Sequence, residues 1–167
     1  MARTGVAVIF DCDGVLVDTE GAANRVLAEL LSAEGLPTTT ETSMQTYMGR
    51  SWASCMAIAS ERLGRRLDSE ALHERYTRGV RAAWERELEP VPGVVAALDA
   101  IDLPACVASS GEHERMRFTL GRTGLYDRFA GRIFSATEVE HGKPAPDLFL
   151  HAAARMGFDP ARTTVVE

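Results

Sequence analysis

Apolar residues run without a break from Val6 to Phe10 and then stop at Asp11-Cys12-Asp13-Gly14. A short continuous apolar run closed by a turn signal predicts a strand buried on both faces. From residue 20 to residue 88 the pattern changes to helical spacing. Leu27, Leu30 and Leu31 form one stripe, halted by Gly35-Leu36-Pro37. Trp52, Met56, Ala59 and Leu63 form a second, with Ser51 as its cap and Gly64 as its stop. Leu72, Tyr76, Val80 and Trp84 form a third, which begins near Asp68-Ser69. Aromatic and methionine stripes at this spacing predict the core of a helical bundle rather than a cofactor site.

Pro90-Val91-Pro92-Gly93 ends the helical block. Beyond it, helix and strand alternate. Val94, Val95, Leu98 and Ile101 predict a short helix, and Ala105-Cys106-Val107-Ala108 a buried strand. Met116 and Leu120 lie on a helix that Gly121 or Gly124 ends, and Arg132-Ile133-Phe134-Ser135 is a weaker strand. Pro146 opens a helix carrying Phe149, Ala153 and Met156, closed by Gly157; Thr163-Thr164-Val165-Val166 is the last strand. This alternation predicts an α/β fold, a doubly wound parallel sheet with a Rossmann-like core. The expected division is a core domain of residues 1–19 and 90–167 and an inserted helical cap of residues 20–89. There is no internal repeat and no low-complexity tract.

Composition narrows the function classes. At 167 residues and 46% hydrophobic, the chain has enough apolar surface for a packed core. A net charge of −6 without a basic stripe argues against nucleic acid as a partner. Three cysteines, an odd number with no CxxC pair, argue against a disulfide framework or a zinc site. Cys12 and Cys106 read as small buried apolar residues. No segment reaches membrane-spanning length and no signal-peptide core is present, so a cytoplasmic enzyme is expected.

The carboxylates Asp11 and Asp13 stand at the carboxyl end of the first strand, where open α/β sheets bind ligands. Polar groups also follow the other strands: Ser109-Ser110-Gly111, then Gly142-Lys143-Pro144-Ala145-Pro146-Asp147, then Glu167. Parallel strands would bring these ends to one rim. Taken singly, each has a plainer reading. Asp13-Gly14 is a turn signal, Ser109 a helix cap, Lys143 a loop lysine and Glu167 a solvated acid. His73, His113, His141 and His151 show no spacing that pairs a nucleophile with a base.

Together these segments resemble the haloacid dehalogenase-like superfamily, most of whose members hydrolyse phosphate esters. The DxDGxxxD motif is present as Asp11-Cys12-Asp13-Gly14-Val15-Leu16-Val17-Asp18. The strand-ending serine is Ser109 in Val-Ala-Ser-Ser-Gly, and the motif lysine is Lys143 in Gly-Lys-Pro-Ala-Pro-Asp. Of the acidic pair, Glu167 is present. The subgroup most resembled is that of the sugar-phosphate phosphatases and β-phosphoglucomutases with a helical cap.

The resemblance implies a site. Asp11 would be the nucleophile that becomes an aspartyl-phosphate, splitting hydrolysis into two easier steps. Magnesium would offset the repulsion between Asp11 and the phosphate, held by Asp11, Asp13 and Glu167, with Asp13 using its main-chain carbonyl. The Asp13 side chain would protonate the leaving oxygen and later take a proton from water. Ser109 and the N–H groups of Ser110 and Gly111 would hold phosphate oxygens, Lys143 would balance charge, and Gly14 would permit close approach. In the cap, Gly49 and Arg50 would contact substrate. The segments 17–20 and 90–93 are the expected hinges.

The implied activity is magnesium-dependent hydrolysis of a small phosphorylated metabolite, a sugar phosphate. The alternatives are a phosphosugar mutase and a silent phosphate-binding protein. Trp52 and Ala23 stand where the mutases carry an arginine and a histidine, which argues for water as acceptor. Family members continue past the position of Glu167 with a magnesium-binding aspartate and a further βα unit. The expectation for the chain as given is therefore an incomplete metal site and an uncovered sheet edge, or a fragment of a competent enzyme.

Overall fold

A computed structural model describes residues 5–167. Two compact units emerge. One is the stretch ending at Asp18 together with Leu88–Glu167, and the other is Thr19–Glu87.

The first unit is built on four parallel strands, β1 (Ala7–Phe10), β2 (Ala105–Ser109), β3 (Ile133–Ser135) and β4 (Thr163–Val166), in the order β3-β2-β1-β4. Phe10 pairs with Val107 on one side and Val166 on the other. Ser109 pairs with Ser135. All of β1 and β2 is buried, as the apolar runs predict.

Side chains alternate between two cores because successive Cβ atoms point to opposite faces. Val8, Phe10, Ala105 and Val107 enter one, with Val94, Met116, Leu120 and Phe129. These come from helices α5 (Val94–Ala100), α6 (His113–Arg122) and α7 (Tyr126–Phe129). Ala7, Ile9, Cys106 and Ala108 enter the other, with Leu148, Ala152 and Ala153 of α8 (Asp147–Met156). Gly157 ends α8 at φ 69°, donating to Ala153 and Ala154 carbonyls. The sheet is thus covered by helices on both faces. The four-residue α7 is too short to show a period and has no counterpart among the predicted elements.

The second unit has four helices where the apolar stripes predict three. They are α1 (Thr19–Ala33), α2 (Thr40–Tyr47), α3 (Trp52–Leu63) and α4 (Ser69–Glu87). The additional helix, α2, buries only Ser43 and Tyr47, so its sequence carries no stripe. Thr39 caps it by accepting from the Thr42 N–H. Ser51 and Gly64 bound α3 as expected. The core here joins Leu27, Leu31, Tyr47, Met56, Ala59 and Leu72. Asn24 and Ser43 are also buried, and satisfy each other: Ser43 Oγ donates to Asn24 Oδ1 at 2.9 Å, while Asn24 Nδ2 donates to the Glu20 carbonyl. No helix among the described residues is long and apolar enough to cross a membrane.

Helices α1 and α4 approach closely at Gly79, where an added Cβ would lie 2.8 Å from Val26 Cγ1. Valine is stiff about χ1, so it yields little. Gly79→Ala gains about 1 kcal/mol of helix propensity against an overpacking cost of about 1–3 kcal/mol. A net loss of stability is expected in chemical denaturation, relieved when Val26→Ala is added. A more stable single variant would show that the helices separate freely.

Candidate active site

Strand direction assembles the site. Asp11 follows β1, Ser109 ends β2, Ser135 ends β3 and Glu167 follows β4. The main chain at Asp11 is tied across the sheet, its N–H donating to the Val166 carbonyl at 2.9 Å. Past Asp11 the chain turns back. Cys12 O accepts from both Leu16 and Val17, and Gly14 N donates to Val17 O. Gly14 sits at φ 73°, a conformation that glycine adopts without steric cost.

Lys143 reaches this edge from the loop before α8. Its Nζ lies 3.1 Å from Asp11 Oδ2 and 3.1 Å from Glu167 Oε1. The ammonium meets both carboxylates off the hydrogen-bonding direction, so the contacts are between charges rather than directed bonds. Its position over the Phe149 ring, 4.8 Å from the centroid, adds a cation–π contact. Only 11% of the Lys143 side chain is exposed, which strengthens charge–charge terms relative to an open surface. The other oxygen of Asp11, Oδ1, accepts from the Cys12 N–H at 2.6 Å.

Asp13 has two unlike oxygens. Oδ2 lies 3.0 Å from Arg115 Nη2, whereas Oδ1 is buried and without a hydrogen-bond partner. The pairing with Arg115, in the first turn of α6, was not legible in the sequence. Between the two carboxylates, Cys12 is fully buried, and burial, with Asp13 adding to it, pushes the thiol up to about 12. It therefore stays protonated at neutral pH and is not a nucleophile.

Ser109 is buried, and its Oγ accepts from the Gly111 N–H at 3.3 Å. Ser135 Oγ donates to the Gly111 carbonyl at 2.8 Å, fixing the loop from the far side. Ser110 is exposed on that loop. Ser135 is itself held in a capping box, its N–H donating to Glu138 Oε1 at 2.7 Å. Glu138 also meets His113 Nε2 at 2.9 Å and His151 Nε2 at 3.1 Å. The Ser135-x-x-Glu138 spacing is a capping signature that could have been read in advance; its meeting with two distant histidines could not. Gly49 and Arg50 belong to the helical unit. Gly49 has φ 75°, and Arg50 is exposed, its Nε donating to the Thr46 carbonyl.

Glu138 gives a pH signature. Burial raises its pKa, but the Ser135 N–H, His151 and His113 outweigh this and hold it below its ordinary 4.5. A depressed carboxylate contributes stability that is fully present above the ordinary value and lost as pH falls through the folded value. The melting-temperature gap between wild type and Glu138→Gln should therefore be largest above pH 4.5 and close on acidification. A gap that widens in acid would contradict this reading.

Among the described residues, no three His, Cys, Asp or Glu side chains gather into a closed metal cage. Asp11 and Glu167 nonetheless place hard carboxylate oxygens just past the neighbouring strands β1 and β4, both within 3.1 Å of the one Lys143 ammonium, and the Asp13 main-chain carbonyl follows two residues after Asp11. Magnesium binds through one or two carboxylates and keeps several waters, so this donor set fits it without a cage.

Comparison with known proteins places the chain in a family. Residues 6–167 match the model of the haloacid dehalogenase-like hydrolases. The 6-phosphogluconate phosphatase of Escherichia coli is 30% identical over 161 residues, covering 96% of this chain and 73% of that protein. The fructose-1-phosphate phosphatase of the same organism is 32% identical over 165 residues, covering 96% of this chain and 85% of that protein. Among solved structures, a conserved haloacid dehalogenase-like protein of Agrobacterium tumefaciens superposes with a TM-score of 0.89 at 32% identity. That match covers 97% of this chain and 73% of the other. The chain belongs to the haloacid dehalogenase-like hydrolase family.

Proposed function

We propose that this chain is a magnesium-dependent phosphatase of a small phosphorylated metabolite, a sugar phosphate, working through a phosphorylated Asp11. The observation that carries this reading is the Asp11 carboxylate at the end of β1 with the Lys143 ammonium 3.1 Å away. Relatives that include 6-phosphogluconate and fructose-1-phosphate phosphatases support the substrate class.

The Asp11 carboxylate attacks phosphorus, and the ester oxygen departs with a proton from Asp13. Asp13 then takes a proton from water, which attacks the phosphoryl group, releasing phosphate and restoring Asp11. Lys143 offsets the charge shared by nucleophile and phosphoryl oxygens. The loop from Ser109 to Gly111 cradles those oxygens through the Ser109 hydroxyl and main-chain N–H groups. Magnesium, when bound by Asp11, the Asp13 carbonyl and Glu167, supplies further charge neutralisation. Gly49 and Arg50 are proposed to recognise the substrate, Arg50 as an anion-binding group.

The test is phosphate release from p-nitrophenyl phosphate and a panel of sugar phosphates, with magnesium and with chelator. Metal-dependent release without isomerised sugar is the expected result. An isomerised product would point to a mutase, and phosphate-dependent thermal stabilisation without turnover to a silent binder.

A further inference from the structure

We propose that Ser135 and Glu138 are positioning residues that hold the loop of residues 109–111 in the shape that receives a phosphoryl group. This rests on the reading of that loop as the phosphate cradle.

The loop is pinned at its glycine. The Gly111 N–H donates to Ser109 Oγ at 3.3 Å, and the Gly111 carbonyl accepts from Ser135 Oγ at 2.8 Å. Glycine otherwise has the most backbone freedom to lose. It borders the site, since a Cβ there would lie 3.7 Å from Asp13 Oδ2. Ser109 Oγ meets Gly111 as an acceptor, which leaves its own hydrogen for a phosphoryl oxygen. A hydroxyl has one hydrogen to give and two lone pairs to accept with. Those of Ser135 are all assigned. Its Oγ accepts from the Thr137 N–H at 3.2 Å and from Thr137 Oγ1 at 3.0 Å, so its hydrogen goes to Gly111.

Glu138 fixes the turn on which this assignment depends. It ends the short 3-10 turn Ala136–Glu138, and its Oε1 takes the Ser135 N–H at 2.7 Å. That capping contact needs one oxygen and no distant partner. Glu138 has two distant partners as well: His113 Nε2, 2.9 Å from Oε1, and His151 Nε2, 3.1 Å from Oε2. His113 is the first residue of α6, two positions past Gly111, and His151 lies on α8, the helix after the Lys143 loop. Phe134 braces His151 edge-on, with ring centroids 5.7 Å apart. One carboxylate thus joins the end of β3 to the helices that follow both loops of the site. Without it the turn loosens, Thr137 no longer occupies the Ser135 lone pairs, and the Ser135 hydrogen is free to leave Gly111. Donors fixed before the ligand arrives spare binding the cost of ordering them.

The test is calorimetric binding of inorganic phosphate to the full chain with magnesium present, on variants whose folding is checked by far-ultraviolet circular dichroism. Ser135→Ala and Glu138→Ala should each weaken phosphate about tenfold, the scale of one hydrogen bond to a charged group. Glu138→Gln keeps an oxygen for the Ser135 N–H and should lose less. The sign is diagnostic, because removing a negative charge would by Coulomb's law alone tighten an anion. The double variant of Ser135→Ala and Glu138→Ala should bind little more weakly than either single variant, since both act on one peptide group. If Glu138→Ala does not fold, Glu138→Gln takes its place in the same cycle. Unchanged phosphate affinity in Ser135→Ala, or a lowered melting temperature with unchanged or tighter phosphate binding in the Glu138 variant, would overturn the proposal. Losses that multiply in the double variant would overturn it too, because the two residues would then act by separate routes. Ser109→Ala is the reference. If it leaves phosphate affinity unchanged, the reading of the loop as a cradle fails. If it weakens phosphate and the Ser135 and Glu138 variants do not, only the positioning inference fails.

Discussion

Asp11→Asn is expected to lower turnover on the order of 10⁴-fold or more, as removal of a residue that forms a covalent intermediate does. The substitution is nearly isosteric. The amide oxygen can still accept from the Cys12 N–H, and the main-chain bond to Val166 is untouched. What is lost is the charge 3.1 Å from Lys143 Nζ. Breaking a buried ion pair usually costs about 3–5 kcal/mol, because the remaining charge has no partner. Here Lys143 keeps Glu167 at 3.1 Å, so the cost should be smaller. The variant should fold, with a modest drop in unfolding free energy, and still bind inorganic phosphate. Steady-state kinetics beside chemical denaturation separates these effects. Residual activity within about tenfold of wild type would show that another group attacks phosphorus, since acid–base help alone is typically worth more than that.

Lys143→Met is expected to lower kcat about 10²–10³-fold, the scale for losing one preorganised charge-stabilising group. Methionine fills the space of the stem and keeps contact with the Phe149 ring. It leaves Asp11 and Glu167 facing each other without the cation that lies 3.1 Å from each. Two consequences follow. The approaching phosphate meets uncompensated negative charge, so KM should rise as kcat falls. The folded state also loses a bridging charge, so the melting temperature should fall and recover partly with added magnesium. An arginine is a poor substitute, because its planar fork is larger than the compact ammonium. A kcat loss below tenfold, with unchanged KM, would mean that Lys143 serves the fold and not the chemistry.

Much of the fold is legible where residues act locally. The run from Val6 to Phe10 reads as a buried strand because both its faces meet apolar helices, and β1 is buried throughout. Ser51 and Gly64 bound α3 as their cap chemistry dictates. Helix α2 escapes because it is polar, and its buried Ser43 is satisfied by Asn24 of another helix. A periodicity search weighs apolar burial and cannot see a buried hydrogen-bonded pair. The site shows the same division. Asp11 stands out by its type at a strand end and Lys143 by the resemblance of Gly-Lys-Pro-Ala-Pro-Asp to a family motif, and the structure brings the two side chains within 3.1 Å. Arg115 and Glu138 do not stand out, because their partners lie far along the chain and neither residue type is unusual on a helix or turn. Long-range charge pairing is a property of the fold, and one sequence does not display it.

The most direct test of the central claim is a rapid acid quench during turnover, followed by proteolysis and mass spectrometry. The phosphoryl group should appear on the peptide that carries Asp11 and be absent from the Asp11→Asn protein. A phosphorylated residue elsewhere, or active turnover with no covalent phosphoprotein formed at any time, would contradict the account.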